Sequence, residues 1–229
     1  MKRLALALTV YAFAGCAAPA ADFRAAPPIV AEHPDDFEEV RPCGVCPKEY
    51  RYRLHYQEVR KRWSRTVRAS HDTWDTAVDA SFTLFSPQYR EAWVRMISGM
   101  RRMAPVTRVR FAEEQRADQE HFVELAVMMQ AGRWDWNDLA SSRSIWTITF
   151  IDDHGRVAPA FDVQALDFKQ DELSVLFPDV TPFTRPFRVR FKPTFPDGTP
   201  LLRPDAGKVM IRMAGALASV DVVWEARPE

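Results

Sequence analysis

From Lys48 onward, apolar residues recur with two periods, and each period predicts a different kind of element. Over 48–64, Tyr52, Tyr56, Val59 and Trp63 fall at i, i+4, i+7 and i+11, the single stripe of an amphipathic helix. Thr66 to Ser70 and Trp74 to Phe85 alternate instead, on either side of a His71-Asp72 turn, and predict a hairpin. In its second arm Trp74, Thr76, Val78, Ala80, Phe82 and Leu84 share one face, while Asp75, Asp79, Ser81 and Thr83 share the other. Ser86-Pro87 has the form of a helix start, with Ser86 as N-cap and Pro87 at the first helical position. The helix that follows carries Tyr89, Trp93, Met96, Met100 and Met103 on its apolar stripe, and Pro105 stops it.

Val106 to Ala117 is mixed and predicts no definite element. His121 to Gln130 reads as a strand from its apolar content, with a helix as the alternative. Ser144 to Ile151 is a clearer strand, with Trp146, Ile148 and Phe150 on one face. Asp152-Asp153-His154-Gly155 turns the chain and Arg156 to Leu166 returns. Asp171 to Phe177 predicts a short helix and Phe187 to Phe191 another strand. Lys208 to Ala214 and Ser219 to Glu225 make a last hairpin around Gly215. Short strands punctuated by proline and glycine turns predict an α+β domain. Its expected core is an antiparallel β-sandwich, with immunoglobulin-like as the best guess, and two flanking amphipathic helices. No cysteine pair links the strands, so the antibody signature is absent.

Before Lys48 the pattern changes. Lys2 and Arg3 precede an uncharged apolar run from Leu4 to Ala14, shorter than the roughly 20 residues a membrane-spanning helix needs. A short apolar core behind basic residues is the form of a cleaved export signal. Ala17 to Pro47 has no apolar periodicity. It holds Pro19, Pro27, Pro28, Pro34, Pro42 and Pro47 with the acidic group Asp35, Asp36, Glu38 and Glu39, and reads as a partly extended linker. The expected organisation is a signal peptide over 1–15, a lipidated tether over 16–47 and one globular domain over 48–229.

The signal ends in Phe13-Ala14-Gly15-Cys16, which resembles the lipobox of bacterial lipoproteins, with Phe13 in place of the usual leucine. The resemblance implies cleavage before Cys16 and acylation of that cysteine, hence a lipid anchor in the cell envelope. Several acyl chains hold a protein stably where one is marginal. Ala17 stands where an aspartate would favour inner-membrane retention in that family, which points to the outer membrane. The strings SIWTITFIDDHGR and RPFRVRFKP resemble segments of uncharacterised predicted lipoproteins, a likeness that implies no activity.

Charge and cysteine content narrow the chemistry. Thirty-one basic residues balance 31 acidic ones, which argues against a dedicated nucleic-acid binder. Cys43-Gly44-Val45-Cys46 fits a local disulfide in an oxidising envelope. A redox site would need a strand before the motif, and a structural zinc site two more ligands. The motif is followed by Pro47 rather than the histidine of a c-type haem site. The sequence contains no HExxH, GxSxG, P-loop or GxGxxG pattern. We expect no catalytic residue, no cofactor and no metal site. Arg51, Arg53, Arg60, Lys61 and Arg62 could meet anionic lipid or polysaccharide, or form a solvated face.

The loop Gly132-Arg133-Trp134-Asp135-Trp136-Asn137-Asp138 carries the candidate binding residues Trp134, Asp135, Trp136 and Asp138. Tryptophans beside acids can stack on a sugar and bind its hydroxyls, or simply anchor a loop. The expected function is that of an envelope-anchored, non-catalytic binding or assembly module for a protein partner. The alternative is an enzyme or binder acting on cell-wall or surface polysaccharide.

Replacing Cys16 by Ser is expected to leave the precursor uncleaved and unlipidated, as read by mass spectrometry of the N-terminal peptide. Cys43 and Cys46 are expected to resist alkylation in freshly isolated envelopes until they are reduced.

Overall fold

The computed structural model describes residues 48–70 and 75–225. The signal peptide, the tether, Cys16, Cys43, Cys46, the His71-Asp72 turn and Trp74 lie outside the described residues.

The chain runs α1 (Lys48–Trp63), β1 (Ser64–Ser70), β2 (Thr76–Leu84), α2 (Pro87–Met100), α3 (Pro105–His121), β3 (Val123–Ala131), β4 (Trp146–Asp152), β5 (Val157–Pro159), β6 (Asp162–Ala165), α4 (Gln170–Leu176), β7 (Arg185–Phe191), β8 (Lys208–Gly215) and β9 (Ser219–Glu225). The class is mixed α+β, with two antiparallel sheets ordered β1-β2-β3-β7-β6 and β5-β4-β8-β9. Four α-helices are described: the two flanking ones and the short one expected from the sequence, and in addition α3.

Alternation sorts the five-stranded sheet into two faces. Phe82, Val127 and Phe187 are cross-strand neighbours on one face, as are Leu125 and Val189. This face meets the second sheet, where Phe150 packs edge-on against Phe191 at 5.9 Å. The opposite face carries Glu124, Ala126 and Arg188. It lies under Trp93 and Ile97 of α2 and Phe111 and Gln115 of α3. The sheet is therefore covered on both sides, and β3 is buried from Val123 to Met129.

The stripe predicted for α1 is the buried one: Tyr56, Val59 and Trp63 sit in the core. The Tyr56 and Tyr89 hydroxyls share a 2.8 Å hydrogen bond between α1 and α2. Burial pushes both phenols up, so the pair stays neutral and fully protonated. Of the basic residues off the stripe, Arg60 is itself buried. It donates from Nε to Gln57 and from Nη2 to Asp179. That part of the basic face is structural rather than free.

Ser86 caps α2 as its position predicts, accepting from the Tyr89 amide at 3.1 Å, with Pro87 in the first turn. Pro105 does not simply end a helix; it opens the next one. α2 closes in a left-handed turn in which Arg102 N–H donates to Gly99 and Met103 N–H to Ser98, so the chain is reset before Pro105 begins α3. α3 had no readable period because Ala112 is its one described residue classed as buried.

The returning segment after β4 is also divided. Ala160 N–H donates to Ile148 of the second sheet at 3.0 Å, and the next amide, Phe161 N–H, donates to Arg190 of the first at 3.1 Å. One edge of the stack is thus a continuous chain that changes sheets. At the other edge Trp224 Nε1 donates to Trp63 O at 3.0 Å, and Arg65 Nε donates to Val223 O at 3.1 Å.

Arg102 adopts a φ of 47° in the left-handed region that glycine occupies at least cost. Arg102→Gly is expected to raise stability by about 0.5–1 kcal/mol and Arg102→Val to lower it, measured as shifts in urea midpoint.

Candidate functional site

Strand β3 ends beside β2 so closely that a Cβ on Gly132 would lie 2.2 Å from Thr76 O. Only a residue without a side chain can leave the sheet there. The chain then enters a short 3-10 turn, Trp134–Trp136. Three backbone acceptors hold this loop down. Trp146 Nε1 donates to Trp136 O at 2.8 Å, and Arg185 Nη1 donates to Asn137 O at 3.0 Å. Asn137 is buried and donates from Nδ2 to Phe183 O at 3.1 Å. The loop is pinned to the sheet and to the 181–185 turn together.

The four residues singled out in the sequence divide by role. Trp134 is 74% exposed, with the Arg185 guanidinium 5.8 Å from its ring. Trp136 is half-buried, and the Arg133 guanidinium lies over it at 4.8 Å. Asp135 is exposed and paired, Arg133 donating to it from Nε and Nη2 at 3.1 and 3.0 Å. Asp138 builds structure, its Oδ1 accepting from the amides of Ala140 and Ser141. The fold adds Phe183, which is 65% exposed and joined to the loop through Asn137. Nothing local in the sequence pairs position 183 with position 134. The link is a buried asparagine reaching across 46 residues.

In the Asp152-Asp153-His154 group the two carboxylates hold a turn, while the His154 side chain is exposed. Asp152 Oδ1 accepts from the His154 and Arg156 amides, and its Oδ2 accepts from Arg156 Nε at 2.8 Å. Asp153 accepts from Arg203 Nη2 and from the Gly207 amide. Burial works to raise the Asp152 pKa, but the bonds from Arg156 and His154 outweigh it and hold the carboxyl below its ordinary value. Among the described residues no group of three or more His, Cys, Asp and Glu side chains could hold a metal ion. Among them, too, no helix is long and apolar enough to cross a membrane.

No family model and no curated protein matches the chain. Among solved structures it is similar to a novel protein of unknown function from Burkholderia pseudomallei. The two share 8% identity over 83% of this chain and 89% of that one, with a TM-score of 0.42. A likeness at that level carries no argument about fold or function.

Asp152→Asn is expected to cost about 2 kcal/mol at neutral pH by removing charge-assisted bonds to Arg156. Because the native carboxyl titrates below its unfolded value, its contribution is complete above the unfolded pKa and is lost as pH falls through the native one. Denaturation of both proteins from pH 7 down to acid should show the gap closing below about pH 4.

Proposed function

We propose that residues 48–229 form the head of an envelope lipoprotein, anchored through acylated Cys16, that binds a protein partner and performs no chemistry of its own. The observation that carries this reading is the pinned loop pair, which holds Trp134 and Phe183 out into solvent on a backbone fixed by buried Asn137. Large aromatic side chains presented rigidly lose little entropy on docking and dominate interface energetics. A protein surface with an apolar patch is the fitting partner. Asp135 and Asp138 are taken up within the loop, which leaves the site poor in free hydrogen-bonding groups for a polysaccharide. The two buried carboxylates among the described residues, Glu124 and Asp152, are likewise held by arginines, which supports binding over acid–base catalysis.

The lipobox resemblance and Ala17 support an outer-membrane location. Tethering raises the local concentration of the head near other envelope components, so a modest affinity suffices. We read the stacked sheets as a sandwich. Their order, β1-β2-β3-β7-β6 and β5-β4-β8-β9, is not the ABED and CFG order of immunoglobulin domains, so we propose the sandwich alone.

Crosslinking and co-purification from native membranes tests the reading. Trp134→Ala and Phe183→Ala should each cut partner recovery by about tenfold or more while the melting temperature holds. Unchanged recovery in the double variant would overturn it. So would an Asp135→Asn protein that keeps its fold and partner yet loses its activity, since that outcome belongs to a polysaccharide-directed enzyme.

A further inference from the structure

Arg90 lies on α2 with no exposed surface. Its Nη1 donates to the neutral side chain of Gln115 at 3.0 Å, and its guanidinium lies 5.0 Å over the Phe85 ring. Its Nε and Nη2 are buried without a hydrogen-bond partner among the described residues. The charges that act on it are Glu124, Asp118, Arg190 and Arg188. Arg190 takes both carboxylates, donating from Nε to Glu124 at 3.0 Å and from Nη2 to Asp118 at 3.1 Å. Arg188 has only a neutral acceptor, Gln164, and its own Nε is buried and unpartnered. Three guanidiniums therefore stand against two carboxylates, with Arg90 itself wholly withdrawn from water and Arg188 half-buried beside it.

Beside this cluster is a cavity of about 170 Å³ between the helices and the five-stranded sheet. Phe85, Trp93 and Phe177 supply apolar wall, and Gln115, Glu124, Arg188 and Arg101, the last already paired with Glu172, supply polar groups. An apolar cavity of about 150 Å³ is enough to take benzene, so this one has room for a single ring or a short acyl chain. A buried cation without a counter-ion is costly, and an apolar cavity next to it defines the shape of the missing anion.

We propose that this cavity binds a small amphipathic monocarboxylate, its carboxylate on Arg188 and Gln115 with Arg90 behind them, and its apolar body against Phe85, Trp93 and Phe177. The guanidinium fork suits a carboxylate. Glu124 remains occupied by Arg190, and the one surplus guanidinium matches a ligand of a single negative charge. The site uses none of the residues of the Trp134 loop and stands or falls separately from it.

Benzoate and its neutral analogue benzyl alcohol are the probes. The full chain is labelled with 5-fluorotryptophan, reconstituted in nanodiscs and followed by 19F NMR, with the Trp93 resonance assigned through Trp93→Phe. Benzoate should shift that resonance saturably and bind at least about tenfold more tightly than benzyl alcohol. Arg188→Gln should remove that preference, and Leu166→Trp, which fills the cavity from its lining, should abolish both shifts. Equal affinity for the two probes, no saturable shift with benzoate, or an undiminished preference in folded Arg188→Gln would overturn the proposal. If Arg188→Gln does not fold, the benzoate-to-alcohol ratio in the unaltered chain decides.

Discussion

The fold depends on a strand that has no wet side. β3 is buried on both faces, one against the second sheet and the other under α2 and α3. Its buried run, Val123 to Met129, is apolar but for one residue, as such a position requires. The exception is Glu124, whose charge must be met inside the protein. Its cross-strand neighbour is Arg190, which turns its Nε to Glu124 and its Nη2 to Asp118 on α3. One arginine thereby couples β3, β7 and α3. Removing one partner from such a buried pair costs about 3–5 kcal/mol, far more than an exposed ion pair contributes. The helical layer is consequently located by electrostatics as well as by packing, and the neighbouring arginines inherit their burial from it.

The pinned loop has the opposite character. Its hydrogen bonds run inward to Asn137, Trp136 O and Asp138, while Trp134 stands exposed. A loop that were merely an anchor would bury its aromatics. Here Leu139 and Asn137 are buried, leaving Trp134 with no packing duty in the core. The scaffold and the exposed surface are thus supplied by different residues of one short stretch, which allows the surface to vary without loss of the fold.

Much of the architecture was legible in the chain, and the unread parts have physical reasons. The α1 stripe, the Ser86-Pro87 start and the β8–β9 hairpin were readable because each depends on local periodicity or on cap and turn chemistry. α3 was not, because a helix that buries so little shows no apolar period. The run from Arg156 to Leu166 read as one returning strand. Its exchange of partners between Ala160 and Phe161 is decided by tertiary hydrogen bonds alone. At the candidate surface, Trp134 was visible as an aromatic in a turn-rich loop, whereas Phe183 joins it only through a long-range contact. Arg90 was hidden for a similar reason. Beside Glu91 and with Arg95 further along the same helix, Arg90 looks like part of a polar face until the sheet beneath it is known.

The two ends of the stacked sheets bear on how such a head behaves in a crowd. Unpaired strand edges invite addition of strands from neighbouring molecules. Here β5 and β6 are short, and the backbone passes directly from one to the other across that flank. On the opposite flank the side chains of Arg65 and Trp224 occupy the carbonyls of Val223 and Trp63. The short β5–β6 flank therefore offers a neighbouring copy little backbone to pair with, whereas β1 and β9, seven residues each and paired on one side, present the longer edges, so strand addition between copies would fall on that flank.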